Sequence, residues 1–97
     1  MDKEPRLRIV QERGDRAKAL LGNELLQESF DKIETQLMDA WKETHSEDHA
    51  RREDAWRSYK LLQSLKGHLK KILIDGEAST KELLQVKNPP LLKRLMK

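Results

Sequence analysis

Two adjacent stretches decide the fold: residues 24–44, ELLQESFDKIETQLMDAWKET, and residues 46–75, SEDHARREDAWRSYKLLQSLKGHLKKILID. In the first, Leu26, Phe30, Ile33, Leu37 and Ala40 recur at steps of four and three, with Trp41 beside the last. In the second, Ala55, Tyr59, Leu62, Leu65, Leu69, Ile72 and Leu73 keep similar steps, with Trp56 at the flank. Each pattern puts one apolar stripe on one face of a helix. The charges of the two stretches are opposed. Residues 23–49 carry Glu24, Glu28, Asp31, Glu34, Asp39, Glu43, Glu47 and Asp48 against Lys32 and Lys42. Residues 50–75 carry Arg51, Arg52, Arg57, Lys60, Lys66, Lys70 and Lys71 against Glu53, Asp54 and Asp75. An acidic helix followed by a basic one, each with one seam, is expected to fold back as an antiparallel hairpin.

Magnitudes assign the driving force. Burying one Leu, Ile or Phe side chain contributes roughly 1.5–3 kcal/mol, whereas a surface i,i+4 ion pair contributes about 0.2–0.5 kcal/mol. The seam therefore drives association, and the charge asymmetry selects which helix pairs with which. The expected hairpin core is Leu26, Phe30, Ile33, Leu37, Trp41, Trp56, Tyr59, Leu62, Leu65, Leu69 and Ile72. The face holding Glu28, Asp31, Lys32, Glu34, Gln36 and Asp39 is read as solvated. Leu25, Met38, Leu61 and Ile74 fall outside the seam and widen the apolar surface beyond what two helices cover.

The ends of the elements follow from capping chemistry. Gly22-Asn23 reads as a left-handed glycine stop followed by an N-cap. Thr44-His45-Ser46-Glu47 matches a capping box, with Ser46 as the competing N-cap, so the turn is expected near 44–46. Asp75-Gly76 reads as the end of the second long helix, and Ser79-Thr80-Lys81-Glu82 as the start of a short one through Val86. Asn88-Pro89-Pro90 stops that helix. Upstream, residues 1–22 read as a basic N-terminal helix, bent or frayed at Gly14. The fold class is thus all-α: long helices at about 24–44 and 46–75, a basic N-terminal helix and a short C-terminal helix. The 97 residues form a single small helical domain, divided into 1–22, the hairpin 23–75, and 76–97.

Composition narrows the function. The chain is 36% hydrophobic and 38% charged, enough to fill helix–helix seams but not a broad core, so self-association is the expected source of further stability. Without cysteine, disulfides, thiolate zinc sites and thiol nucleophiles are excluded. No apolar run approaches the roughly 18 residues of a membrane span, and the start has no signal-peptide pattern, so a soluble protein of the virion or host cytoplasm is expected. No pair of His, Asp, Glu or Ser has the setting and spacing of a catalytic site, so no enzyme activity and no cofactor is expected.

Four groups of residues are candidates for binding. His45 and His49 stand four apart with Glu47 and Asp48 between, a spacing that holds a divalent metal if both lie on one helix; otherwise they are polar residues of an exposed turn. Trp41 and Trp56 flank the turn, either as a partner-binding pair or as the plug closing the end of the hairpin core. Arg6, Arg8, Arg13, Arg16 and Lys18 form a basic stripe able to touch nucleic acid, diluted by Glu4, Glu12 and Asp15 and lacking interleaved aromatics. Beyond Pro90, Leu91, Leu92, Leu95 and Met96 lie on one side of a tail with Lys93, Arg94 and Lys97 on the other. This tail is expected to remain disordered until an acid-rimmed groove on a partner protein receives it.

Arg13-Gly14, Arg16-Ala17 and Leu20-Leu21, then Phe30, Trp41-Lys42-Glu43-Thr44, Arg52-Glu53 with Trp56, His68-Leu69, Ile72-Leu73 and Gly76 together form a pattern over residues 13–84. This pattern resembles that of small proteins encoded by tailed bacteriophages and prophages near their head and packaging genes. Gly22-Asn23-Glu24 departs from it, since an Asp-Pro or Asn-Pro helix start would be expected there, which bears on capping only. The resemblance implies a virion or assembly role and supplies no active site, so no functional residue carries over. The expectation is a non-enzymatic phage structural or assembly protein that self-associates and docks on a head, portal or packaging protein. A nucleic-acid-binding accessory factor and a host-directed inhibitor acting by occlusion are the alternatives.

Overall fold

A computed structural model describes residues 3–87, and they are almost entirely helical, with no strand among them. Helix α1 spans Lys3–Leu21, α2 spans Glu24–Glu43 and α3 spans His49–Lys87. The residues group into two compact units. One joins α1, up to Ala19, with α3 from Lys70 onward; the other is residues Leu20–Leu69, which hold α2 and the first half of α3.

Among the less exposed positions of α3, Arg52, Ala55, Tyr59, Leu62, Lys66, Leu69, Leu73, Gly76, Thr80 and Leu83 form one series, with Gln63, Ile72 and Ser79 beside it. Its steps alternate three and four without a break, which is the heptad pattern of a helix packed along its length. This corrects the expected stop at Gly76. No described glycine has a positive φ, so Gly76 is not a left-handed cap but a seam position inside the helix, which runs on to Lys87. No separate short helix opens at Ser79. Ser79 is 6% exposed within α3, and the Thr80 hydroxyl donates to the Gly76 carbonyl at 3.0 Å, one turn back. The Thr80 hydroxyl is thus satisfied inside a continuous helix.

The α1 unit explains the glycine. A Cβ on Gly14 would stand 2.7 Å from the Gly76 Cα, and one on Gly76 would stand 2.6 Å from the Gly14 Cα. The two helices meet backbone to backbone, which only glycine permits. Gly14 therefore neither bends nor frays α1; it lies buried in the contact, with Ala17 one turn on at 2% exposure. Leu83 adds an apolar side chain at 5% exposure. Gln11 Nε2 donates to Thr80 Oγ1 at 3.0 Å, and Lys3 pairs with Glu82 at 3.6 Å.

In the other unit α2 begins as expected. Asn23 has extended φ and ψ, and its side-chain oxygen accepts from the Leu26 N–H at 2.9 Å. Gly22 before it is not left-handed. The far end of α2 is a further correction, since Thr44 is its C-cap rather than the N-cap of the next helix. Its N–H and its hydroxyl both donate to the Trp41 carbonyl, at 3.2 and 2.6 Å. The N-cap of α3 is Asp48, whose carboxylate accepts from Arg51 N–H at 3.3 Å and whose carbonyl accepts from Arg52 N–H at 3.1 Å. An acidic side chain at that position favours the positive end of the helix dipole, which Thr44 and Ser46 do not.

Contacts between α2 and α3 run from Arg52 at Trp41 and Thr44 to Lys66 at Glu34. Glu34 is thus not on a solvated face. It is half-buried in the seam, 3.3 Å from Lys66 Nζ. Of the expected core, Leu62 is buried and Leu26, Phe30, Leu37, Tyr59, Leu69 and Ile72 are half-buried. Ile33, Trp41, Trp56 and Leu65 are exposed instead, because two helices in contact cover only one side of each stripe.

Candidate interaction surface

The Trp pair lies at one place. Leu37, Met38 and Trp41 of α2 and Ala55, Trp56 and Tyr59 of α3 line an apolar cleft of about 100 Å³. Trp41 and Trp56 do not plug a closed core. They remain 36% and 53% exposed, with Met38 at 37%. Trp56 stacks on Tyr59, one turn along α3, with ring centroids 6.0 Å apart and planes inclined by 21°. Such offset aromatic pairs add about 0.5–1.5 kcal/mol beyond area burial and hold the rings in one orientation.

Each tryptophan has a cation over its face. The Arg52 guanidinium lies 4.4 Å from the Trp41 ring centroid, and Lys60 Nζ lies 5.4 Å from the centroid of Trp56. Arg52 also donates through Nη1 to Thr44 Oγ1 at 3.2 Å, so it ties the C-cap of α2 to the first turns of α3. Its position is a seam position, seven residues before Tyr59 and fourteen before Lys66. That heptad spacing is the signal by which sequence reasoning could have paired Arg52 with Trp41; counting cations alone made it one of the seven of a basic helix. Lys60 was passed over for the same reason.

The edges of the cleft differ in charge. Along α2, Met38 also borders a shallow depression lined by Asp31, Glu34, Thr35, Asp39 and Lys42. Along α3 Lys60 stands exposed over Trp56, and Arg52 lies over Trp41 from the seam. A second open cleft, lined by Leu37, Ala40, Glu43, Thr44, Arg51, Asp54, Ala55 and Ser58, carries both signs and no aromatic ring.

The remaining candidates are placed as follows. His45 lies in the turn and His49 is the first residue of α3, so the two do not stand one turn apart on one helix. Among the described residues no group of three or more His, Cys, Asp or Glu could hold a metal ion. In the basic stripe, Arg8 pairs with Glu4 at 2.8 Å and Arg16 with Glu12 at 2.7 Å, each within α1. Two of the five cations are therefore already engaged by carboxylates. Leu91, Leu92, Lys93, Arg94, Leu95 and Met96 lie outside the described residues. No helix among the described residues is long and apolar enough to cross a membrane.

No protein-family model matches this sequence, and no curated protein or solved structure matches it either.

Proposed function

We propose that the chain is a non-enzymatic interaction protein: α2 and the first half of α3 form an antiparallel helical hairpin that self-associates and docks on another protein. The observation that carries this reading is the exposure left on α2, a strongly amphipathic helix with no buried residue. Its Leu25, Ile33, Met38 and Trp41 are exposed, as are Trp56, Leu61 and Leu65 opposite. An apolar surface of this extent on a small chain is relieved by association. The antiparallel sense is supported by the order of contacts, Trp41 with Arg52 and the earlier Glu34 with the later Lys66. The surface consists of apolar and aromatic groups with fixed charges at its edges, the makings of a protein interface rather than of a reaction centre.

The resemblance over residues 13–84 extends the proposal to phage assembly, with a head, portal or packaging protein as the docking partner. Sedimentation and thermal unfolding over a hundredfold range of protein concentration test self-association. A midpoint that rises with concentration is the expected result, and a monomer at every concentration is the opposite one. The assembly role is tested by the presence of the chain in mature particles. Tight binding to random DNA with a steep salt dependence would move the reading to the nucleic-acid alternative.

A further inference from the structure

We infer that the cleft between Trp41 and Trp56 is the self-association surface, and that its occupant is the same cleft of a second copy, related by a two-fold axis. This rests on the self-association proposed above and names its surface. The argument is charge self-complementarity around an apolar centre. The centre is Met38, Trp41, Trp56 and Tyr59, aromatic and sulfur-bearing groups that dominate the energetics of buried interface centres. On the α2 side the depression that Met38 borders holds Asp31 and Asp39 against Lys42, with Glu34 engaged by Lys66, which leaves this edge net acidic. On the α3 side Arg52 and Lys60 lie over the two indole rings.

A partner of uniform charge would meet attraction along one edge and repulsion along the other. A second copy turned by 180° meets attraction along both, because its basic α3 edge faces the acidic α2 edge and the reverse. An isologous two-fold contact requires a patch complementary to itself, and this patch has that property. The other open cleft, with Glu43 and Asp54 beside Arg51, lacks the aromatic centre.

The test is a charge-reversal mixing experiment on the full chain. One variant carries Lys60→Glu and the other Asp31→Lys with Asp39→Lys, all at exposed helix positions. Each variant alone faces like charge on both sides of the axis, and its dimer dissociation constant should rise at least about tenfold by sedimentation equilibrium. Mixed in equal amounts, the two present opposite charge at both edges and should recover a 1:1 heterodimer of near wild-type affinity. Glu43→Lys, on the other cleft, should leave dimerisation unchanged. Circular dichroism spectra and thermal midpoints at low concentration confirm that each variant is folded. A wild-type chain that stays monomeric overturns both self-association and this surface. Dimers that persist in each variant alone, fail to recover on mixing, or weaken equally with Glu43→Lys overturn the surface and leave self-association standing.

Discussion

Gly14 and Gly76 stand so close that each has a carbonyl of the facing helix 3.2 Å from the place its own Cβ would occupy, Ile72 O for Gly14 and Val10 O for Gly76. A hydrogen fits in those places and a methyl group does not, since the facing glycine Cα would stand nearer still. Gly14→Ala and Gly76→Ala are each expected to destabilise the chain by about 1–3 kcal/mol through overpacking, despite alanine's better helix propensity. Gly67 provides the control, since a Cβ there would meet nothing within 4 Å among the described residues. Gly67→Ala should stabilise by about 0.5–1 kcal/mol. Urea midpoints of the three variants decide the matter, and a shift of the same sign in all three would contradict the backbone contact.

The ion pair of Glu34 and Lys66 joins α2 to α3, with side chains only 31% and 23% exposed. A double-mutant cycle with Glu34→Gln and Lys66→Met should give a coupling of about 1 kcal/mol, the upper end for such pairs because of the partial burial. That coupling should shrink in about 1 M salt, where the screening length falls to roughly 3 Å. Independent effects of the two substitutions would show that the charges stand near each other without interacting.

Gln63 Nε2 is buried without a hydrogen-bond partner among the described residues. A buried donor left unsatisfied costs about 1–3 kcal/mol. Gln63→Met removes the amide and keeps a flexible side chain of similar length, so it should raise the unfolding free energy by about 1 kcal/mol. Equal midpoints for the two chains would indicate that solvent already satisfies the amide.

Caps distinguish the two readings of the turn. Asp48→Ala should cost about 1 kcal/mol, as should Asn23→Ala, because each removes the side-chain oxygen that accepts a first-turn N–H. Ser46→Ala should fall within about 0.5 kcal/mol of the parent. The reverse ranking of Asp48 and Ser46 in thermal melts would restore the earlier helix start.

The all-helical class was legible because the stripes are long and the chain offers no strand-like alternation. Asn23 was legible as a cap because its chemistry is local: one side-chain oxygen and an N–H three residues on. Gly76 and Ser79 were misread by the same local logic. Glycine after a cationic turn, then Ser-Thr-Lys-Glu, describes a stop and a start only when nothing is packed against them. With α1 against this part of α3, the smallness of Gly76 became a fit to a neighbouring backbone distant in sequence, and Ser79 lies buried within the same helix. Glu34 and Lys66 failed for a related reason: polar residues at seam positions break the apolar stripe, so a pattern built on hydrophobicity steps over them. At the candidate surface the two tryptophans and Met38 were visible, whereas Arg52 needed the heptad register of α3 to be drawn to Trp41, and Lys60 its four-residue spacing from Trp56.

The sharing of α3 by two partner helices sets an order of events during folding. The contacts of α2 close short or moderate loops, with Arg52 eight residues from Thr44 and Lys66 thirty-two from Glu34. Those of α1 close a long one, since Gln11 and Thr80 are sixty-nine residues apart. Loop-closure entropy grows with length, and local contacts form sooner than distant ones. On a ribosome the contrast is sharper, because α1 is made well before the part of α3 that it packs against. Until then Gly14 leaves α1 with a weak point and no compensating contact, so α1 is the helix that waits.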